Sequence, residues 1–337
     1  MIQHSTDLLD KLRTIHAAIR DAVLAACEES ALEQLSAVVA EEAGDTIFAI
    51  DRVSEDVLLE HFHTLAETWP LILIAEGLGE TGVAVLTASG KAEDAVIRVI
   101  VDPIDGTRGL MYQKRPAWIL TGVAPNKGDA TSLADIELAV MTEIPLVRQH
   151  LCDSLWAERG QGAYAERLNR LTGESVPVTL RPSRATTIAQ GFGGLARFFP
   201  GARDVLAAID DDIARRVLGL PAPGKVLAFE DQYICTGGQL YELLMGHDRW
   251  VADLRPLVNP ILAERGFPPS MCCHPYDLCT ELVAREAGVI VTGAHGEPLD
   301  APLDVDYSMA WIGFANPALR DQVVPVLQAV LGERGLL

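Results

Sequence analysis

The stretch that most constrains this chain is residues 97–108, I-R-V-I-V-D-P-I-D-G-T-R. Val96, Ile97, Val99, Ile100 and Val101 form a nearly unbroken β-branched run, which reads as a buried strand. Pro103 cannot donate to a sheet ladder, and Gly106 permits a backbone conformation closed to other residues. The pattern therefore predicts a strand ending at Asp102. Two carboxylates, a hydroxyl and free backbone amides then crowd its carboxyl end. Carboxylates this close repel unless a cation sits between them, and hard divalent cations take oxygen ligands. Amides freed at Gly106 and Thr107 suit an anion such as phosphate. Asp, Pro and Gly are also the commonest turn residues, so the loop carries weight only with support from elsewhere in the chain.

The 337 residues allow one large domain or two intimate lobes with a sizeable core. Hydrophobic residues make up 49% and charged ones 22%, ordinary values for a globular protein. A net charge of −20 argues against nucleic-acid polymers and anionic membranes as partners. It suits an anionic substrate only if bound cations invert the local field. The N-terminus has no signal-peptide pattern, and no stretch approaches the ~20 apolar residues of a membrane span. The six cysteines, Cys27, Cys152, Cys235, Cys272, Cys273 and Cys279, form no C-x-x-C pair and no zinc spacing. A cytoplasmic protein with free thiols is expected.

Leu8, Leu12, Ile15, Ile19, Val23 and Ala26 recur at helical spacing and predict an opening amphipathic helix. A second helical stretch is expected over 31–42. A third helix is expected to start around Ser54-Glu55-Asp56 and to run through Glu67. The apolar run 71–75 reads as a strand delivering Glu76 to its end. Residues 83–87 and 96–101 read as a hairpin, followed by strands near 118–124, 136–143, 154–159 and 162–165. The second half mixes helices (203–218, 237–246, 278–287) with strands (187–190, 226–230, 289–292, 309–314). A last helix is expected from Pro317, capped by Asn316. This succession indicates a layered α/β or α+β architecture. An N-terminal lobe over 1–184 and a C-terminal lobe over 185–337 are expected.

Asp102-Pro103-Ile104-Asp105-Gly106-Thr107 resembles the signature loop of the inositol monophosphatase superfamily. Its members are Mg²⁺-dependent, lithium-sensitive phosphomonoesterases, including inositol monophosphatases, 3′-phosphoadenosine 5′-phosphate phosphatases and some fructose-1,6-bisphosphatases. Ala75-Glu76-Gly77 is similar to the family's Gly-Glu-Glu, keeping the first glutamate and losing the second. His274-Pro275-Tyr276-Asp277, followed by Glu286-Ala287-Gly288, resembles W-D-x-A-A-G…E-A-G-G. Tyr276 there replaces tryptophan, and Cys279-Thr280-Glu281 replaces the small A-A-G. Asp51 matches an aspartate before a helix that faces the family's metal site, and Gly237-Gly238 resembles the start of a C-lobe helix bordering the substrate pocket.

The resemblance implies the inositol monophosphatase/fructose-1,6-bisphosphatase type of fold, a five-layer αβαβα sandwich. It implies Glu76, Asp102 and the Ile104 carbonyl on one Mg²⁺, and Asp102, Asp105 and Asp277 on another. Two or three ions are expected, with Mn²⁺ as a substitute. Glu76 and Thr107 would orient the attacking water, Asp51 would accept from the Thr107 hydroxyl, and the Gly106 and Thr107 amides would hold phosphate. Arg108 resembles the nucleotide-phosphatase branch and could meet a second phosphate; Gly237, Gly238 and His274 would lie near substrate. The substrate would be a small phosphate ester, and a homodimer is common in the family. Inositol phosphate, sugar phosphate including fructose 1,6-bisphosphate, and 3′-phosphoadenosine 5′-phosphate all remain open. A phosphoaspartate phosphatase of the D-x-D-x-T type is disfavoured, because here two residues separate the aspartates. Gly77 and the altered segment after Asp277 leave room for a degenerate member that binds phosphate ligands without turnover.

Overall fold

The computed structural model describes residues 2–29, 38–42, 45–79 and 81–337, with the backbone alone for 38–42, 45–53, 55 and 56. Helix α1 (Ser5–Glu29) follows the predicted stripe, with Leu8, Leu12, Ile15, Ile19 and Val23 buried. Strands β1 (Val38–Glu42) and β2 (Asp45–Phe48) form a small antiparallel pair. The helix expected over 31–42 is therefore wrong for 38–42, where pairing overrides the helix preference of Ala and Glu; residues 31–37 lie outside the described ones. Helix α2 (Ala49–Ala66) starts five residues before the anticipated Ser54, so Asp51 lies in its first turn rather than ahead of it. The Asp51 side chain is outside the described residues.

Strand β3 (Leu71–Ala75) ends where Glu76 was expected to emerge. Strand β4 (Val83–Leu86) pairs with β3, not with β5 (Ile97–Asp105). The predicted 83–101 hairpin does not form because β3 lies between its two arms and runs parallel to β5. A short helix, α3 (Thr107–Met111), follows β5, and then β6 (Ala117–Pro125), β7 (Leu138–Ile144), β8 (Leu151–Glu158), β9 (Ala163–Asn169) and β10 (Glu174–Val178) run antiparallel in succession. The eight strands are ordered β10-β9-β8-β7-β6-β5-β3-β4.

Beyond this sheet lie β11 (Phe192–Leu195), α4 (Arg203–Leu218), α5 (Thr236–Leu244), β12 (Asp248–Asp253), α6 (Asn259–Glu264), α7 (Pro275–Leu278), α8 (Glu281–Glu286), β13 (Ile290–Thr292), β14 (Trp311–Phe314) and α9 (Pro317–Glu333). Their four strands are ordered β11-β12-β14-β13. Strands expected at 187–190 and 226–230 are absent. That edge is filled by β11, and Phe229 reaches it only through an isolated bridge to Phe192. The helix expected over 278–287 breaks into α7 and α8. Asn316 caps α9 as anticipated, accepting from the Leu319 amide.

The elements stack in five layers, as the resemblance implied. Helices α1 and α2 cover one face of the large sheet; α5, α7 and α8 lie between the two sheets; α4 and α9 cover the far side of the small one. The period of two along each strand divides the core accordingly. Ile119 and Val123 of β6 face α1, whereas Trp118, Leu120 and Ala124 face the middle layer. On the α1 side a polar seam interrupts the apolar packing: buried His16 lies 2.8 Å from Thr121 Oγ1 and 3.0 Å from Thr142 Oγ1. Burial lowers the pKa of that imidazole to about 3, so it is neutral at physiological pH. Among the described residues no helix is long and apolar enough to cross a membrane.

Candidate metal centre

Strand β5 does not stop at Asp102. It continues to Asp105 through an irregularity in its pairing with β6: Asp102 faces Leu120, but Asp105 faces Trp118. Three steps along β5 match two along β6, so one extra residue is accommodated, and Pro103 sits at the bulge where its missing N–H costs no ladder bond. The consequence is chemical. Residues three apart on a regular strand point to opposite faces, whereas cross-strand partners share one. Leu120 and Trp118 both face the middle layer, so the bulge turns Asp102 and Asp105 to the same side. The Ile104 amide donates to Asp102 Oδ1 at 2.9 Å, and the Thr107 hydroxyl donates to the Ile104 carbonyl at 2.9 Å, which fixes the loop from within. Gly106 has φ 99° and starts α3.

The middle layer brings the third carboxylate. Asp277 belongs to the single turn α7, its Oδ2 accepting from the His274 amide at 2.6 Å. One oxygen each from Asp102, Asp105 and Asp277 lie within 4.8 Å of one another. Asp102 and Asp105 are 2% and 7% exposed, and the Asp277 side chain 13%. Burial pushes the Asp105 carboxyl up to about 6, against the Gly237 amide, which favours its ionised form. Burial, then the charge of Asp105, raises Asp277 well above the usual carboxylate range. The Arg255 guanidinium opposes both shifts, but Arg255 is already forked onto buried Asp253. Three such acids are costly to ionise together without a cation, and the all-oxygen donor set suits a hard divalent ion.

The other expected residues fall around this cluster in different ways. Glu76 lies just past β3, half-buried and outside the 4.8 Å group, its Oε1 accepting from the Tyr276 hydroxyl at 3.4 Å. Thr107 and Gly106 open α3 beside Asp105, and Arg108 is exposed on the same turn. His274 sits before α7, its ring stacked on Tyr276 with centroids 5.1 Å apart. Of the two glycines that open α5, Gly237 touches the cluster directly, whereas Gly238 donates to Cys235 Sγ. Gly237 donates its amide to Asp105 Oδ2 at 2.5 Å, and side chains at 237 and 238 would strike Trp118 and Tyr233, so both glycines are buried in the first turn of α5. The Thr107–Asp51 bond cannot be placed, since it falls on a side chain outside the described residues.

Two contributors escaped the sequence reading. Tyr276 registers there only as a replacement for tryptophan, yet its hydroxyl reaches Glu76. Gly122 on β6 is the second: a Cβ there would lie 2.7 Å from the Cys279 carbonyl and 2.6 Å from Ile136 Cδ1. The room that small residues on the helix would provide comes instead from a glycine on the strand, which lets the Asp277 turn settle against the sheet.

No protein-family model matches the sequence, and no curated protein matches it. Solved structures do. Fructose-1,6-bisphosphatase from Leishmania major superposes with a TM-score of 0.68 at 13% identity, covering 98% of this chain and 96% of that one. This chain shares its fold with that phosphatase. Extragenic suppressor protein suhB from Bartonella henselae gives a TM-score of 0.64 at 16% identity, over 96% of this chain and 98% of its own. An IMPase from Thermotoga maritima gives 0.62 at 17% identity, over 97% and 99%. The shared fold thus extends over nearly the whole chain, while identity this low leaves activity to be argued from the site.

Proposed function

We propose that the chain is a Mg²⁺-dependent phosphomonoesterase acting on a small phosphorylated polyol, sugar or nucleotide. The observation that carries this reading is the convergence of Asp102, Asp105 and Asp277, from two layers of the sandwich, within 4.8 Å. Their hard oxygen donors fit divalent cations, with Glu76 and the Ile104 carbonyl completing the set. Bound there, two such ions would polarise a phosphoryl oxygen, lower the pKa of a water molecule and stabilise the leaving oxygen.

The protein's own groups supply the rest. Glu76, on the solvent-facing margin of the cluster, accepts the proton of the attacking water. The Thr107 hydroxyl already donates to the Ile104 carbonyl; its lone pairs can therefore receive that water and fix its line of approach. Asp51 would accept the single Thr107 hydroxyl proton in place of the Ile104 carbonyl once that carbonyl is committed to a cation. The amides of Gly106 and Thr107 take the non-bridging phosphoryl oxygens, and Arg108 offers a second phosphate a guanidinium. His274, just before the Asp277 turn, would lie near substrate. Lithium sensitivity, a homodimer and a cytoplasmic location belong to the reading by resemblance.

The experiment is phosphate release from inositol phosphates, sugar phosphates including fructose 1,6-bisphosphate, and 3′-phosphoadenosine 5′-phosphate, with Mg²⁺, with EDTA and with lithium. Metal-dependent release from one class supports the proposal and names the substrate. Intact Mg²⁺ binding with silence across the panel would favour a phosphate-ligand-binding protein, the alternative that Gly77 and the altered turn after Asp277 keep in view.

A further inference from the structure

We propose that Tyr276 is a positioning residue for Glu76, and that the turn carrying Asp277 thereby sets two metal-binding carboxylates at once. The inference rests on the metal-site reading above and concerns a contact that a tryptophan could not make in this form. The Tyr276 hydroxyl donates to Glu76 Oε1 across 200 residues of sequence, and its oxygen lies 3.0 Å from His274 Nδ1. The ring is held firmly: it is 7% exposed and lies nearly parallel to the His274 imidazole, at 15°. The same short segment donates the His274 amide to Asp277 Oδ2. One turn thus grips Asp277 by its main chain and Glu76 by its side chain.

The need for such a grip follows from where Glu76 stands. Asp102 and Asp105 lie within β5 and are both paired across to β6, whereas Glu76 is the first residue beyond β3 and precedes Gly77, which has φ 74°. Its backbone leaves the sheet at that point, so side-chain contacts must do the aiming. Partners that orient metal ligands in this way commonly contribute about 10- to 100-fold to metal affinity or activity.

The test compares wild type, Tyr276→Phe and Tyr276→Trp for Mn²⁺ binding by titration calorimetry, for Mg²⁺-dependent phosphate release, and for thermal melting in EDTA. Tyr276→Phe should weaken Mn²⁺ binding about 10- to 100-fold and lower kcat more than it raises KM, with melting in EDTA unchanged. Tyr276→Trp should not restore affinity. Mn²⁺ binding by Tyr276→Phe within about twofold of wild type would overturn the inference, as would a loss matched by a large fall in EDTA melting, which marks a packing role. A wild type that binds Mn²⁺ but releases no phosphate would remove the phosphatase reading while the binding comparison still decides the role of Tyr276. Absence of Mn²⁺ binding in wild type would overturn both.

Discussion

Two regions deliver carboxylates to the same point by opposite means. The β5 loop holds Asp102 and Asp105 at the end of an inner strand, where β6 pairs with both and the ladder to β3 has already ended at Val101. The α7 turn holds Asp277 on four residues of helix, positioned by the His274 amide and by the fit of Cys279 against Gly122. The first arrangement is fixed by the β6 ladder and its bulge, reinforced by the bonds of Asp102 and Thr107 to the Ile104 main chain. The second depends on local packing between layers and is correspondingly open to sequence change. That asymmetry matches the motifs: the β5 loop keeps the pattern of the family it resembles, and the turn departs from that pattern on both sides of Asp277.

The largest expected effect comes from the strand side. Asp102→Asn or Asp105→Asn should cut Mg²⁺-dependent turnover by about a thousandfold or more, since each removes a charge the cations require. The fold should persist, and melting in EDTA should hold or rise, because buried like charges are relieved. Near-normal turnover in either variant would end the assignment of the centre. Thr107→Ala should come next, lowering kcat about a hundredfold with KM little changed. A change confined to KM would move Thr107 from water orientation to substrate binding.

Gly122→Ala probes the turn without touching any carboxylate. The new Cβ must push the Cys279 carbonyl and Ile136 aside, at a cost of about 1–3 kcal/mol. If the turn depends on this fit, Mn²⁺ affinity should fall along with stability, read by calorimetry and melting. Reduced stability with unchanged affinity would show that Asp277 is held by its own hydrogen bonds alone.

This contrast also explains what could be read from the chain. A β-branched run entering D-P-I-D-G-T announces its strand and its chemistry, because strand propensity, proline and glycine all act within a few residues. The bulge that turns Asp102 and Asp105 to one face is not legible, since it exists only in register with β6. Pairing of β4 with β3 was likewise missed: adjacency in sequence favours a β4–β5 hairpin, and only the parallel β3–β5 contact displaces it. Strand β12, D-R-W-V-A-D, carries an aspartate at each end and offers little apolar alternation. Tyr276 and Gly122 illustrate the same limit at the site. Each acts on a residue far away in sequence, and neither has a local signal.

The smallest effect separates burial from clustering as the source of the raised acids. Glu143 lies on the same rung as Asp105, two strands away across Trp118. It is 7% exposed and accepts from Gln149 Nε2 at 2.7 Å and from the Asp153 amide at 3.0 Å. Burial raises its pKa from 4.5 to about 7 despite those donors. A carboxyl whose folded pKa exceeds its unfolded one takes up a proton on folding between the two values. Its contribution to stability is therefore full below 4.5 and is lost as pH rises through about 7. Glu143→Gln cannot titrate, so the fall in melting temperature across that interval should be shallower than in wild type. Asp210 and Asp248, also raised to about 7 by burial, keep part of the slope in both proteins. An identical slope would mean that Glu143 ionises freely in the folded state, and that burial on this rung does not by itself raise an acid. The shift at Asp105 would then belong to the company of Asp277 and to the site itself.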